Sequence, residues 1–177
     1  MSRNLSYDQI ILQLKSKFTD NTPKNILDNM QKVYEAKDSD YSSTGLPMGN
    51  LRKCEDAGIE AWRGCLVRMG DKISRLENFT KNLEYKVDEK AEDTIIDLAN
   101  YSILMSCLLK EVYDECNLNW HHKQLTENAR KDLFNLSYYC VFQAMLWKDS
   151  NPEEDLSNLE KVLAYWKYLC NYSLEMV

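Results

Sequence analysis

Residues 89–110, EKAEDTIIDLANYSILMSCLLK, carry the pattern from which the fold of this chain follows. They predict one helix, acidic at its start and apolar on nearly every side further along, with Asp97 and Asn100 kept inside the apolar part. At about 100° per residue, Glu89, Asp93, Asp97 and Asn100 share one face, spread over roughly 80°. Ala91, Thr94, Ile95, Leu98, Ser102 and Met105 occupy the opposite side. Ile96, Ile103, Leu104 and Cys107 continue the acidic face in apolar residues, and a helix apolar all round is normally buried. The expectation is therefore a sequestered acidic face. Its carboxylates must be paired, neutralised or bound to a cation, because an uncompensated buried charge is strongly unfavourable.

The rest of the chain suits such a helix. A length of 177 residues fits a single all-α domain over 1–177, with a core region at about 23–114 and a C-terminal helical extension at about 125–177. The hydrophobic fraction of 44% and charged fraction of 28% are those of a globular protein. Five glycines and three prolines are few, which favours long helices over strands and tight turns. A net charge of −6 argues against general nucleic-acid binding, which needs a basic surface; a small nucleotide needs only a few local cations and a metal.

The six cysteines (Cys54, Cys65, Cys107, Cys116, Cys140 and Cys170) form no CxxC pair and are expected to be buried thiols, neither disulfides nor a zinc site. The first residues, MSRNLSYDQ, lack an apolar stretch of signal-peptide length, and the apolar run around 103–109 is too short to span a bilayer. The expected location is cytoplasmic, without membrane association.

Helical spacing recurs along the chain. A helix at 5–18 carries Leu5, Ile10, Ile11, Leu14 and Phe18. A second at 23–36 carries Ile26, Leu27, Met30, Val33 and Tyr34, with Thr22 as its cap and Pro23 in its first turn. The turn-rich segment KDSDYSSTGLPMGN, 37–50, predicts a loop of functional length. A long helix at 55–80 aligns Ile59, Trp62, Cys65, Leu66, Met69, Ile73 and Leu76; the nine residues 80–88 turn the chain into the acidic helix, which runs to about 114. A connector at 117–124 leads to helices at 126–147, with Leu133, Leu136, Phe142 and Met145, and at 152–175, with Leu156, Leu159, Val162, Leu163, Trp166, Leu169 and Cys170. Glu153, Glu154 and Asp155 suit the start of the last helix. The expected architecture is a bundle of five to six helices.

Arg68, Asp71, Lys72 and Arg75 stand at i, i+3, i+4 and i+7 and make one charged face on the 55–80 helix. Antiparallel helices joined by a short turn pack as neighbours, so this face is expected to meet the acidic one. An ion-pair seam between the helices is one outcome. The other is a Mg²⁺ site beside a phosphate site. Carboxylates one turn apart, at about 5–6 Å, repel by roughly 3 kcal/mol at an effective dielectric near 20. Mg²⁺ takes a few carboxylates, retains water and bridges phosphate oxygens.

Three motifs resemble those of the phage-associated nucleotide-modification-associated domain, type one: K-x-x-D-Y at Lys37, Asp40 and Tyr41; V-R-x-x-D-K-x-x-R-L from Val67 to Leu76; and E-x-x-E-D-T-x-x-D-L-A-N-Y from Glu89 to Tyr101. That family is similar to the all-α MazG/dUTPase-like nucleoside triphosphate pyrophosphatases, and the resemblance runs from Lys37 to Leu104, a little over a third of the chain. It implies Mg²⁺-dependent (or Mn²⁺-dependent) cleavage of a canonical or modified nucleoside triphosphate to monophosphate and pyrophosphate. Asp71, Glu89, Asp93 and Asp97 would hold the metal. Glu92 would be a further ligand or the base that orients water, and Lys72 would act with Arg68 and Arg75 on the phosphates. Asn100 would contact base or sugar, and Lys37, Asp40 and Tyr41 would close over the nucleotide. MazG-like enzymes place ExxE on one core helix and ExxD on the next; here Asp71 with Arg75 stands in for ExxE, and Lys90 lies three before Asp93. Such relatives often complete their bundle by dimerising, which implies a homodimer. A module that sequesters a nucleotide without turnover, and an all-helical interaction protein, are the alternatives.

His121 and His122, adjacent in the expected connector, are assigned to the surface; Trp62 is assigned to the core, and the tyrosines to packing of the C-terminal helices. Arg52, Lys53 and Arg63 are too few for a nucleic-acid patch.

Overall fold

Apolar residues recurring every three or four positions have little to bury themselves against except other helices, and the chain resolves into a bundle. The computed structural model describes residues 4–41, 51–82, 90–150 and 156–176. Its elements are α1 (Asn4–Ser16), α2 (Asn21–Tyr41), a 3-10 helix (Arg52–Ala57), α3 (Ala61–Asn82), α4 (Ala91–Glu115), α5 (Trp120–Ser150) and α6 (Leu159–Glu175), with no strand among the described residues. The fold is all-α. None of these helices is long and apolar enough to cross a membrane.

Several boundaries move, each for a local reason. Helix α2 runs on through Tyr41, because the polar residues after Ala36 include no glycine or proline; residues 37–41 of the expected loop at 37–50 are therefore helical, and 42–50 lie outside the described residues. Thr22 sits inside the first turn of α2 and does not precede it, and its hydroxyl donates to Asp149 Oδ1 at 3.0 Å. The helix expected from 55 is broken by Gly58, whose φ of 76° is left-handed and ends the 3-10 helix, so α3 begins only at Ala61. Ile59, expected in the core, lies in that break and is exposed. Val33, at the edge of its stripe, is exposed as well. Helix α5 starts at Trp120 because the Asn119 side chain accepts the His122 N–H at 2.8 Å, an N-cap that puts both histidines in the first turn. Helix α6 starts at Leu159; Glu153, Glu154 and Asp155 are outside the described residues.

Cross-helix contacts set the directions. Tyr7 stacks on Tyr34 at 4.0 Å while Lys15 pairs with Asp28, so α1 and α2 are antiparallel. The Cys65 thiol lies 3.4 Å from the Tyr101 carbonyl and Lys72 reaches Asp97, making α3 and α4 antiparallel. Arg130 meets Ser106 and Lys148 meets Glu92, which does the same for α4 and α5. Tyr139 stacks on Tyr165 at 5.8 Å, and the buried Gln143 accepts the Asn158 N–H at 3.1 Å, anchoring the start of α6.

Helix α4 packs most extensively on α5 and α3, and α1 also reaches it. Every residue from Ser102 to Leu109 is buried, so the apolar half of α4 is enclosed all round, as its composition predicts. Helix α6 lies along α5, and its Trp166 ring sits over Gly70 of α3. The 3-10 helix is tied to α4 by a two-pronged pair: Arg52 Nη2 donates to both Glu111 oxygens, at 2.7 and 2.8 Å.

All six cysteines are free. Cys65, Cys107 and Cys140 are buried; burial pushes the first two thiols up to about 12 and the third well above its ordinary value. Cys116 is exposed, and Cys54 and Cys170 are half-buried, so the expectation of buried thiols holds for three of the six. In the native protein at about pH 8, a thiol reagent should modify Cys116 fastest and leave Cys65, Cys107 and Cys140 untouched until denaturant is added, as peptide mapping would show. The raised values of Cys65 and Cys107 also set a sign: stability is full below the ordinary thiol value of 9.0 and falls as pH climbs towards about 12.

Gly64 faces the 3-10 helix so closely that a Cβ there would stand 2.6 Å from Cys54 Sγ. Gly64→Ala should cost about 1–3 kcal/mol in chemical denaturation, and less in a Cys54→Ala background, where the sulfur is gone.

Candidate functional site

The acidic half of α4 is the part the bundle does not enclose. Its inner side, Ala91, Thr94, Ile95, Leu98 and Ala99, is buried, while Asp93 is exposed and Asp97 and Asn100 are partly so. The sequestered acidic face expected from the sequence is thus an open one at this end. Within the helix the amides are satisfied only from Thr94 onwards, whose N–H donates to the Lys90 carbonyl at 3.2 Å, and Lys90 supplies no side-chain cap to the turn before it.

From α3, Lys72 Nζ donates to Asp97 Oδ2 at 2.8 Å, joining the cationic stripe to the acidic one as expected. Lys72 is the more enclosed partner, with its side chain 15% exposed against 46% for Asp97. Arg68, Asp71 and Arg75 are exposed on the same helix. Asp71 and Asp93 make no ion pair or hydrogen bond among the described residues. Glu92 points the other way, towards α5, where Lys148 Nζ holds its carboxylate at 2.8 Å.

Asn100 is engaged inside the bundle. Its Oδ1 accepts the Tyr7 hydroxyl at 2.6 Å, and burial, then the neighbouring Tyr34, raises the Tyr7 phenol far above its ordinary range, which keeps it a donor. Lys37 is exposed on α2. The backbone of α2 includes Asp40 and Tyr41, but their side chains, like the whole of Glu89, are outside the described residues.

Among the described residues no three His, Cys, Asp or Glu side chains gather closely enough to hold an ion between them. The structure brings Lys72 and Asp97 together, places Asp71, Asp93, Arg68 and Arg75 on open surface, and turns Glu92 and Asn100 towards other helices.

A recess of ≈ 310 Å³ opens where α2, α4 and α5 meet, lined by Thr22, Asn25, Ile26, Asn29, Ile96 and Lys148. Ile96 comes from the acidic end of α4, and Lys148 is the cation that holds Glu92. Three of these residues, Asn25, Asn29 and Lys148, were not among the candidates read from the sequence. The one-turn spacing of the two asparagines was a legible signal, since it puts two amides on one helix face. Nothing local marks Lys148, whose partner lies on another helix.

A family model described as nucleotide modification associated domain 1 matches residues 53–109. The match takes in most of the 3-10 helix, all of α3 and α4 as far as Leu109, and so both charged faces and the Lys72–Asp97 pair. This segment is similar to a domain associated with nucleotide modification. The motif at Lys37, Asp40 and Tyr41 lies outside the matched span. No curated protein and no solved structure matches the chain.

Because Asp97 is nearly half exposed, its pair with Lys72 is a weak clamp. A double-mutant cycle with Lys72→Met and Asp97→Asn, read by chemical denaturation, should give a coupling of about 1 kcal/mol or less.

Proposed function

We propose that the open charged face of α3 and α4 handles a nucleoside triphosphate and, with Mg²⁺ or Mn²⁺, cleaves it between the α and β phosphates to a monophosphate and pyrophosphate. The observation that carries this is the Lys72–Asp97 pair, which joins cations and carboxylates on two helices inside the segment matched by the nucleotide-modification model. The resemblance of the two motifs to the nucleotide-modification-associated domain, a family similar to MazG-like enzymes, supports the same chemistry, although Asp71 and Arg75 depart from the ExxE pattern of those enzymes.

The donor set argues for a particular kind of metal site. One or two carboxylates from Asp71, Asp93 and Asp97, joined by Glu89 on sequence grounds, suit an ion that completes its shell with water and phosphate oxygens; they do not suit an all-carboxylate cage. Such an ion, when bound, polarises the phosphate and lowers the pKa of the attacking water. Lys72 exchanges Asp97 for a phosphate oxygen as substrate arrives, which frees Asp97 for the metal and keeps the face charge-balanced. Arg68 and Arg75 neutralise charge on the phosphates. Glu92 serves as base or additional ligand after leaving Lys148, and the Asn25–Asn29 recess takes the base or sugar. Asn100, held by Tyr7, positions α4 against α1 and contacts the nucleotide only if that bond opens. A second copy of the chain completes the helical bundle in the homodimer that the resemblance implies.

A second proposal, sequestration without turnover, is favoured by one observation: Asp97 and Glu92 are each held by a lysine. Pyrophosphate release over a panel of canonical and modified dNTPs separates the two. Turnover should appear with Mg²⁺ or Mn²⁺ and fall by about 100-fold or more in Asp93→Ala and Asp97→Ala, which remain folded by circular dichroism. Nucleotide-dependent thermal stabilisation without product would select sequestration. Neither turnover nor stabilisation would remove both proposals.

A further inference from the structure

A second cavity, of ≈ 610 Å³, lies between α1, α4 and α5, away from the Lys72–Asp97 pair. Its volume is within the range of about 300–1,000 Å³ typical of small-molecule sites. Ile10, Ile103, Leu133 and Phe134 supply apolar wall, and Arg130 and Lys131 supply the positive charge. Glu127, also in the lining, accepts the Tyr113 hydroxyl at 3.1 Å.

Arg130 decides what the cavity takes. Its Nε–H donates to the Ser106 carbonyl and to Ser106 Oγ, both at 3.2 Å, which fixes the plane of the guanidinium. Its two terminal nitrogens make no hydrogen bond or ion pair among the described residues. A half-buried guanidinium anchored at one nitrogen, with a pair of donor groups left over beside apolar wall, matches the planar fork of an oxyanion. Two of the three serine hydroxyls in the lining are already committed as donors, Ser102 to the Leu98 carbonyl at 2.7 Å and Ser137 to the Phe134 carbonyl at 2.7 Å, while Ser106 Oγ accepts from Arg130. Arg130 is therefore the main determinant of recognition, and the four apolar residues set the shape of what it holds.

We propose that this cavity binds a small amphipathic anion, with its carboxylate, phosphate or sulfonate group on Arg130 and its apolar or aromatic body between Phe134, Leu133, Ile103 and Ile10. The site is independent of the nucleotide-handling face, so either proposal can fail without the other.

Anilinonaphthalene sulfonate, an aromatic sulfonate, is the probe. It should bind the native protein with a fluorescence gain that saturates at one per chain. Decanoate and thymidine monophosphate, as competitors, distinguish a carboxylate ligand from a phosphate one, and decanol tests whether charge matters at all. Arg130→Met should weaken the probe by about 10- to 100-fold, the loss expected for hydrogen bonds to a charged group. Because Arg130 also supports the Ser106 carbonyl, Gln13→Trp provides a variant that leaves it in place. Gln13 is an exposed lining residue, so a tryptophan there should fold and obstruct the mouth, with a similar loss of binding. Arg68→Met and Arg75→Met, on the other face, should leave probe affinity unchanged. Absence of saturable binding, undiminished affinity in Arg130→Met and Gln13→Trp, or displacement by decanol as readily as by the anions would overturn the proposal.

Discussion

Enclosure of α4 from Ser102 to Leu109 is the constraint on which the rest of the molecule depends. Eight consecutive residues of a helix present side chains in every direction, so burying all of them requires neighbours on every side. Helices α3 and α5 take two sides and α1 contributes to a third. Helix α6 is a layer further out, on α5, with its tryptophan over the small Gly70 of α3. Once this half of α4 is enclosed, the direction of the helix carries its other end, with the acidic residues, to the edge of the bundle.

That edge is where charge is tolerated. Carboxylates a turn apart on one helix repel, and here they part in three directions: Asp97 goes to a lysine of α3, Glu92 to a lysine of α5, and Asp93 to solvent. No buried, uncompensated charge remains on this helix among the described residues. The lysines are displaceable partners, whereas a dehydrated ion-pair core would be rigid and inert. Such exposed pairs can exchange partners, which is what the proposed function asks of them.

Most of the helices were legible because each carries an apolar stripe of the right period, and residues such as Trp62, Met69, Leu98 and Leu136 fall in the core where that period places them. The misplacements share a cause. Gly58 and Asn119 end or start helices through a single backbone angle or a single cap, signals that an apolar stripe of several turns overrides when read by eye. Ile59 illustrates the result: in phase with the stripe, but not in the helix. The charged face was read correctly as an encounter between α3 and α4. That face is less buried than the pattern predicts, because the apolar residues that enclose α4 lie further along it, from Ser102 to Leu109. Lys148 and Arg130 were invisible for a different reason. Each matters through a partner on α4, and no spacing within α5 encodes that.

What the order of residues determines by itself is the class of fold and the raw materials of the site. The periodicities require helices, the run through Leu109 requires a central one, and the alternation of acids and bases on two successive helices requires that they meet or repel. Which carboxylate takes which lysine was decided only in three dimensions. So was the hydrogen bond to Asn100 from a tyrosine of α1, and so was the cavity that gathers Arg130, bonded through its Nε, with apolar side chains of three helices. The physical reason is range. Hydrophobic patterning acts through the averaged faces of whole helices, whereas an ion pair or hydrogen bond depends on a few tenths of an ångström between atoms whose positions follow from the packing of all the others.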